Sequence, residues 1–150
     1  MQEEPQPTPA CRVVLVDSRD ERRQRMKPVI DGDEGKVILV GEADSAASAV
    51  AVVDEQRADA VILDVQMPLA DGLAAIATLR ERYPRLGIVV CSFDLGSTTV
   101  ELVLANGADT CLAKPLRRSE VHEALGTFGD AGRASGDRRG SALPAGATAG

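Results

Sequence analysis

The sequence predicts an α/β protein built on a doubly wound, five-stranded parallel sheet, and three observations carry that reading. Five short apolar runs recur along the chain: Val13–Val16, Val37–Val40, Ala60–Leu63, Ile88–Cys91 and the weaker Thr110–Ala113. Each run is continuous rather than alternating, as befits strands buried on both faces. Between the runs lie segments with apolar residues at helical spacing. Strand and helix therefore alternate as (βα)5, and the crossovers put helices on both faces of the sheet.

Taken in order, the first strand runs straight into Asp17. The helical segment after it, about 19–31, opens Arg-Asp-Glu-Arg-Arg-Gln-Arg and offers only Met26, Val29 and Ile30 to a core. Pro28 interrupts it, so this helix is expected to be short or kinked there. Ala46, Val50 and Val53 share one face of the second helix, with Asp44 as its predicted cap. Leu73, Ile76 and Ala77 share a face of the third, which Pro84 stops. Val100, Val103 and Leu104 recur before Gly107, a residue suited to a left-handed helix end. Val121, Leu125 and Phe128 form the last stripe, beside which His122, the sole histidine, is expected at the surface. No self-similar repeat underlies the alternation.

The chain has 150 residues, room for one domain, with 44% hydrophobic and 27% charged residues. Only 2% are aromatic (Tyr83, Phe93, Phe128), so the core must be Val, Leu, Ile and Ala, which also argues against a base-stacking platform for single-stranded nucleic acid. A formal net charge of −6 argues against direct DNA binding through phosphates. No run of about 18 apolar residues suggests a membrane span. The acidic, Pro-rich start is unlike a signal peptide. Three widely spaced cysteines without CxxC argue against a disulfide framework or a zinc site. The expected location is the reducing cytoplasm. Residues 1–10 are expected to be a disordered arm, 11–128 the folded domain, and 129–150 a disordered Gly/Ala-rich tail.

In a sheet of this kind functional groups gather beyond the carboxyl ends of the strands. Strand one leads into Asp17, strand three into Asp64, strand four into Ser92 and strand five into Lys114-Pro115. Each alone reads as a turn or cap residue. Together they place two carboxylates, a hydroxyl and an amine at one edge. Paired carboxylates suit Mg²⁺, which takes a few carboxylates plus water. An ionised carboxylate can itself attack phosphorus, with a cation and a lysine stabilising the equatorial oxygens.

Ala60–Gly72 (Ala-Val-Ile-Leu-Asp-Val-Gln-Met-Pro-Leu-Ala-Asp-Gly) resembles the phospho-acceptor segment of bacterial two-component response-regulator receiver domains. Val40-Gly41-Glu42-Ala43, Asn106-Gly107-Ala108-Asp109 and Leu112-Ala113-Lys114-Pro115-Leu116 resemble further family segments, so that the likeness covers about residues 12–125. The resemblance implies the flavodoxin-like strand order 2-1-3-4-5. It implies Asp64 as phospho-acceptor, and Asp17, Asp64 and the Gln66 backbone carbonyl as ligands of Mg²⁺. It also implies Ser92 and Lys114 as the switch hydroxyl and phosphoryl-contacting lysine. The implied role is that of a signalling protein rather than an enzyme. It would take a phosphoryl group from a histidine kinase or phosphotransfer protein and act through a conformational change on a protein target, or on a second copy of itself.

Three positions depart from the family pattern. Ser18 stands where a second acid follows the first, which weakens the expected Mg²⁺ site; Asp20, two residues on, is the candidate substitute. Cys111 stands where a Tyr or Phe is usual. Pro28 is unusual in the first helix. Ser18 and Cys111 therefore keep an alternative open: a phosphorylation-independent pseudo-receiver serving as an interaction or localisation module, as the N-terminal part of a larger protein. Cys91 and Cys111, on neighbouring strands, invite a redox-switch hypothesis, set against the commoner reading of a buried free Cys as a small hydrophobe. An enzyme of similar topology fits less well. Gln66 occupies the place of a haloacid-dehalogenase-type phosphatase's second acid, and Asp17 would oppose a flavin phosphate.

Overall fold

The computed structural model describes residues 10–31, 36–65 and 69–128. Residues 1–9 of the expected arm and the whole expected tail lie outside these. The elements run β1 (Cys11–Val16), α1 (Asp20–Ile30), β2 (Val37–Ala43), α2 (Ala46–Gln56), β3 (Ala60–Asp64), α3 (Leu69–Arg82), β4 (Gly87–Ser92), α4 (Ser97–Ala105), β5 (Thr110–Ala113) and α5 (Arg118–Gly126). The strands form one sheet, all parallel, in the order β2-β1-β3-β4-β5. All five runs read from the sequence are strands. Among the described residues no helix is long and apolar enough to cross a membrane.

Continuous apolar runs work here because alternate side chains feed two cores. Val14, Val16, Val61, Leu63, Ile88 and Val90 pack with Ala49 and Val53 of α2, Ile76 and Leu79 of α3 and Val103 of α4. Val13, Leu15, Ile62, Val89 and Cys91 point the other way, onto Met26 and Ile30 of α1 and onto Val121, Leu125 and Phe128. Each such aliphatic side chain, buried completely, stabilises the fold by roughly 1.5–3 kcal/mol. Glycines allow two close approaches. A Cβ on Gly41, at the irregularity in β1–β2 pairing, would lie 2.5 Å from Val52 Cγ1 of α2, and one on Gly87 would lie 2.4 Å from the Phe128 ring.

Three local expectations are corrected. Helix α1 is not cut short at Pro28; it runs 11 residues, to Ile30. An interior proline costs about 3 kcal/mol, but Met26 and Ile30 are buried and together offset it at roughly 1.5–3 kcal/mol each. The Pro28 carbonyl accepts from the Arg118 guanidinium of α5. The cap of α2 is Ser45, not Asp44. Ser45 Oγ accepts from Ser48 N at 3.1 Å, and Ser48 Oγ accepts in return from Ser45 N at 3.1 Å. The Asp44 carboxylate accepts from the Ser48 hydroxyl and the Asp44 N–H donates to Ser48 Oγ. His122 is half-buried rather than superficial, its Nε2 hydrogen-bonded with Ile30 O at 2.9 Å.

The end of α3 is tied down by a side chain that sequence patterning does not single out. Arg80, buried, donates from Nε to Gly107 O (2.9 Å) and from Nη1 to the carbonyls of Tyr83 (3.2 Å), Pro84 (3.1 Å) and Leu86 (2.6 Å). Its Nη2 pairs with Asp109 Oδ2 at 2.7 Å. Gly107, at φ +121°, passes so close that a Cβ would sit 2.8 Å from Arg80 Cβ.

Candidate functional site

The chain leaves β1 towards β2 on one side, and β3 lies on its other side. Strand order therefore reverses between β1 and β3, leaving a crevice at their carboxyl ends. Asp17 follows β1 and Asp64 ends β3, each only 1% exposed. The Asp17 backbone N–H donates to Ala43 O at 3.0 Å, and Asp17 Oδ1 accepts from Arg19 N at 2.9 Å. Asp17 Oδ2 is buried without a hydrogen-bond partner. Burial, chiefly, pushes the Asp17 carboxyl above the ordinary carboxylate range. The Arg19 amide acts against it, and the neighbouring Asp64 adds to it.

Lys114, just past β5, donates from its ammonium to Asp64 Oδ2, with its side chain 8% exposed. Its backbone N–H donates to Ser92 O at 2.9 Å, which ties the loop after β5 to the end of β4. The exposed Phe93 ring lies over the ammonium, 4.9 Å from Nζ to centroid, a cation–π distance. The buried Ser92 hydroxyl accepts from Asp94 N at 3.1 Å and so links β4 to the turn that leads into α4. The structure thus brings Asp17, Asp64, Ser92 and Lys114 to one edge of the sheet.

Asp20 is not drawn into this edge. It is exposed and accepts from Arg23 Nη2 and Gln24 Nε2, both at 3.1 Å, within its own helix. Ser18 is exposed in the turn between β1 and α1. Gln66, like Met67 and Pro68, lies outside the described residues. Cys111 is half-buried on the α4 side of β5. Register sets Cys111 opposite Val90 and Leu112 opposite Cys91. Cys91 and Cys111 therefore point to opposite faces of the sheet, which removes the redox-switch hypothesis: no disulfide joins two side chains facing apart. Burial pushes the Cys91 thiol up, and the Cys111 thiol up to about 11.

Sequence reasoning missed Arg22. Its Nη1 lies 3.9 Å from Asp64 Oδ2, and its side chain is 19% exposed. Residue type carried no signal, because Arg19, Arg22, Arg23 and Arg25 crowd the same stretch; the signal that was available is spacing, since Arg22 precedes Met26 and Ile30 on one helix face. A cleft of about 490 Å³ opens beside the site, with Arg19, Arg22 and Arg25 on one wall and Phe93, Lys114 and Leu116 on the other.

Among the described residues no three His, Cys, Asp or Glu side chains converge as a metal cage. The two carboxylates, with Asp17 Oδ2 lacking a partner, still fit a hard divalent cation that keeps much of its water. Five parallel strands in the order β2-β1-β3-β4-β5 define a flavodoxin-like α/β protein, with an acidic pair and two cations at its switch point. Residues 13–126 match the response regulator receiver domain, and the chain belongs to that family, whose setting is two-component signalling. It is 31% identical over 114 residues to the chemotaxis protein CheY of Listeria monocytogenes, covering 76% of this chain and 94% of that one. It is 34% identical over 105 residues to a protein-glutamate methylesterase/protein-glutamine glutaminase of Hahella chejuensis, covering 69% of this chain and 30% of the relative. The chain therefore spans about a third of the length of such methylesterases. Among solved structures, the receiver domain of the putative response regulator NarL of Mycobacterium tuberculosis superposes with a TM-score of 0.67 at 28% identity, covering 77% of this chain and 93% of that one.

Proposed function

We propose that Asp64 accepts a phosphoryl group from a phosphohistidine on a kinase or phosphotransfer protein, and that the phosphorylated form engages a protein target. The observation that supports this best is Asp64 itself: a buried carboxylate at the end of β3 with the Lys114 ammonium and the Arg22 guanidinium on the same oxygen. An ionised carboxylate attacks phosphorus directly, so no general base is required. Asp17, Asp64 and the Gln66 carbonyl would hold Mg²⁺, which when bound supplies charge for the phosphoryl oxygens. Lys114 neutralises the incoming phosphoryl group from the far side. The Ser92 hydroxyl donates a hydrogen bond to a phosphoryl oxygen while a lone pair still accepts from the Asp94 amide, so reorientation of Ser92 carries the turn into α4 with it. The contact difference between the two states drives the population shift. The half-buried thiol of Cys111 leaves no ring to swing there, which assigns the readout to the Phe93–Gly96 turn.

Ser18 favours a second reading. It leaves Asp17 as the only acid of the β1–α1 turn near Asp64, and an Asp64 already paired with two cations serves a phosphorylation-independent binding module equally well. Intact mass after incubation with Mg²⁺ and a small acyl phosphate separates the two. One phosphoryl mass gained by wild type and not by Asp64→Asn supports acceptance. No gain in wild type supports the pseudo-receiver, and Ser18→Asp then tests whether one residue disables the pocket.

A further inference from the structure

We infer that Arg22 is a catalytic cation of the acceptor site, supplying at Asp64 charge that a divalent metal supplies where the turn after β1 carries two acids. The inference rests on the phosphoryl-acceptance reading above. It begins with the aim of α1. Met26 and Ile30 are buried against the sheet, and Arg22 precedes them at the same four-residue spacing, so it lies along the inward face of the helix. Its neighbours are spent elsewhere. Arg23 is held by Glu42, Asp20 and the Asp17 carbonyl, and Arg19 and Arg25 are exposed. Arg22 alone among these four forms an ion pair with Asp64, at 3.9 Å.

Charge bookkeeping at the site agrees. Among the described residues, with serine at position 18, two carboxylates (Asp17, Asp64) face two cations (Lys114, Arg22), so these formal charges balance before any metal enters. In the reaction a carboxylate oxygen of Asp64 forms a bond to phosphorus. The P–O bond of an acyl phosphate, or the P–N bond of phosphohistidine, breaks, and its electron pair leaves with the carboxylate or imidazole. The three non-bridging oxygens gather the charge. A guanidinium stays protonated at every working pH and its fork suits two of those oxygens. Lys114 donates to the attacking carboxylate and the Arg22 guanidinium lies 3.9 Å from it, so both sit where that charge develops. The adjoining cleft, lined by Arg19, Arg22, Arg25 and Lys114 against the single acid Glu21, also favours an anionic donor. The same guanidinium repels a divalent cation, so Arg22 and Mg²⁺ oppose each other at the site.

The test compares wild type, Arg22→Ala and Arg22→Lys by intact mass, using acetyl phosphate in a chelator and in excess Mg²⁺. Titration calorimetry with Mg²⁺ alone runs in parallel. The expected result is uptake by wild type in chelator, a loss of about 100-fold in rate for Arg22→Ala there, and recovery of that variant in Mg²⁺. Arg22→Lys should fall between the two. Calorimetry should give Arg22→Ala an affinity for Mg²⁺ about tenfold above wild type, since a unit charge near the metal has gone. Wild type and Arg22→Ala failing alike in chelator, or equal Mg²⁺ affinities, would overturn the inference while acceptance in Mg²⁺ stands. No phosphoryl mass on wild type under either condition would remove the acceptance reading, and this inference with it.

Discussion

Arg80→Met keeps the stem of a buried side chain and deletes a guanidinium with five acceptors: the carbonyls of Gly107, Tyr83, Pro84 and Leu86, and the Asp109 carboxylate. These acceptors belong to the end of α3, the entry to β4 and the turn before β5, so one side chain closes three connections. Asp109 Oδ2 also accepts from Ile88 N at 2.8 Å, and its position depends on the pair. Removing one partner of a buried ion pair costs about 3–5 kcal/mol. Asp109 is 22% exposed, so water takes up part of the loss and the lower end, about 3 kcal/mol, is expected. With a urea slope of about 1.5 kcal/mol/M, the unfolding midpoint falls by about 2 M at unchanged slope. Arg80→Lys keeps the charge but cannot span the acceptors with a planar fork, and should lose about half as much. Equilibrium urea unfolding followed by far-UV circular dichroism measures both. A midpoint shift in Arg80→Met of less than a quarter of that expected would mean that the turn carbonyls are already solvated and the argument is wrong.

Two further outcomes follow from the buried site and the cysteines. Burial raises the Asp17 carboxyl above its ordinary 3.8, so between that value and the raised one the folded state binds more protons than the unfolded, and stability falls as pH rises through the window. Asp17→Asn should therefore be more stable than wild type at neutral pH, with the gain vanishing below the ordinary value. Thermal unfolding across pH checks the sign, and a gain of constant size at every pH would contradict it. In the native protein, thiol titration should find Cys11 and Cys91 unreactive and Cys111 slow, its thiol being held up at about 11. Mild oxidation should leave all three thiols countable after unfolding, and loss of a pair would refute the opposed-face geometry.

Much of this molecule is written along the chain. A parallel strand buried on both faces must be continuously apolar, so Val13–Val16 and Ile88–Cys91 are visible without any knowledge of their neighbours. Residues that directly follow such runs are carried to the same sheet edge by chain direction alone. That is why Asp17, Asp64, Ser92 and Lys114 were legible as a group. Caps were legible only to within a residue, because Asp44 and Ser45 are equally good cap types and their backbone geometry decides between them.

Tertiary structure decided what depends on the aim of a side chain across elements. Arg22 and Arg25 are alike in residue type; spacing to Met26 and Ile30 sets Arg22 on the inward face, but only packing brings it to Asp64 while Arg25 stays exposed. Cys91 and Cys111 are neighbours in strand order but opposed in register, a difference of one residue that flips the face. Arg80 reads as one more charge in the last turn of α3 until the turns at Pro84 and Gly107 close around it. Pro28 predicts a short or kinked helix, yet with Met26 and Ile30 buried the helix runs on to Ile30. Periodicity and strand-end position are local properties that a chain carries into any fold of this class. Register, helix rotation and the pairing of distant turns depend on contacts between elements far apart in sequence, and only the packed molecule specifies them.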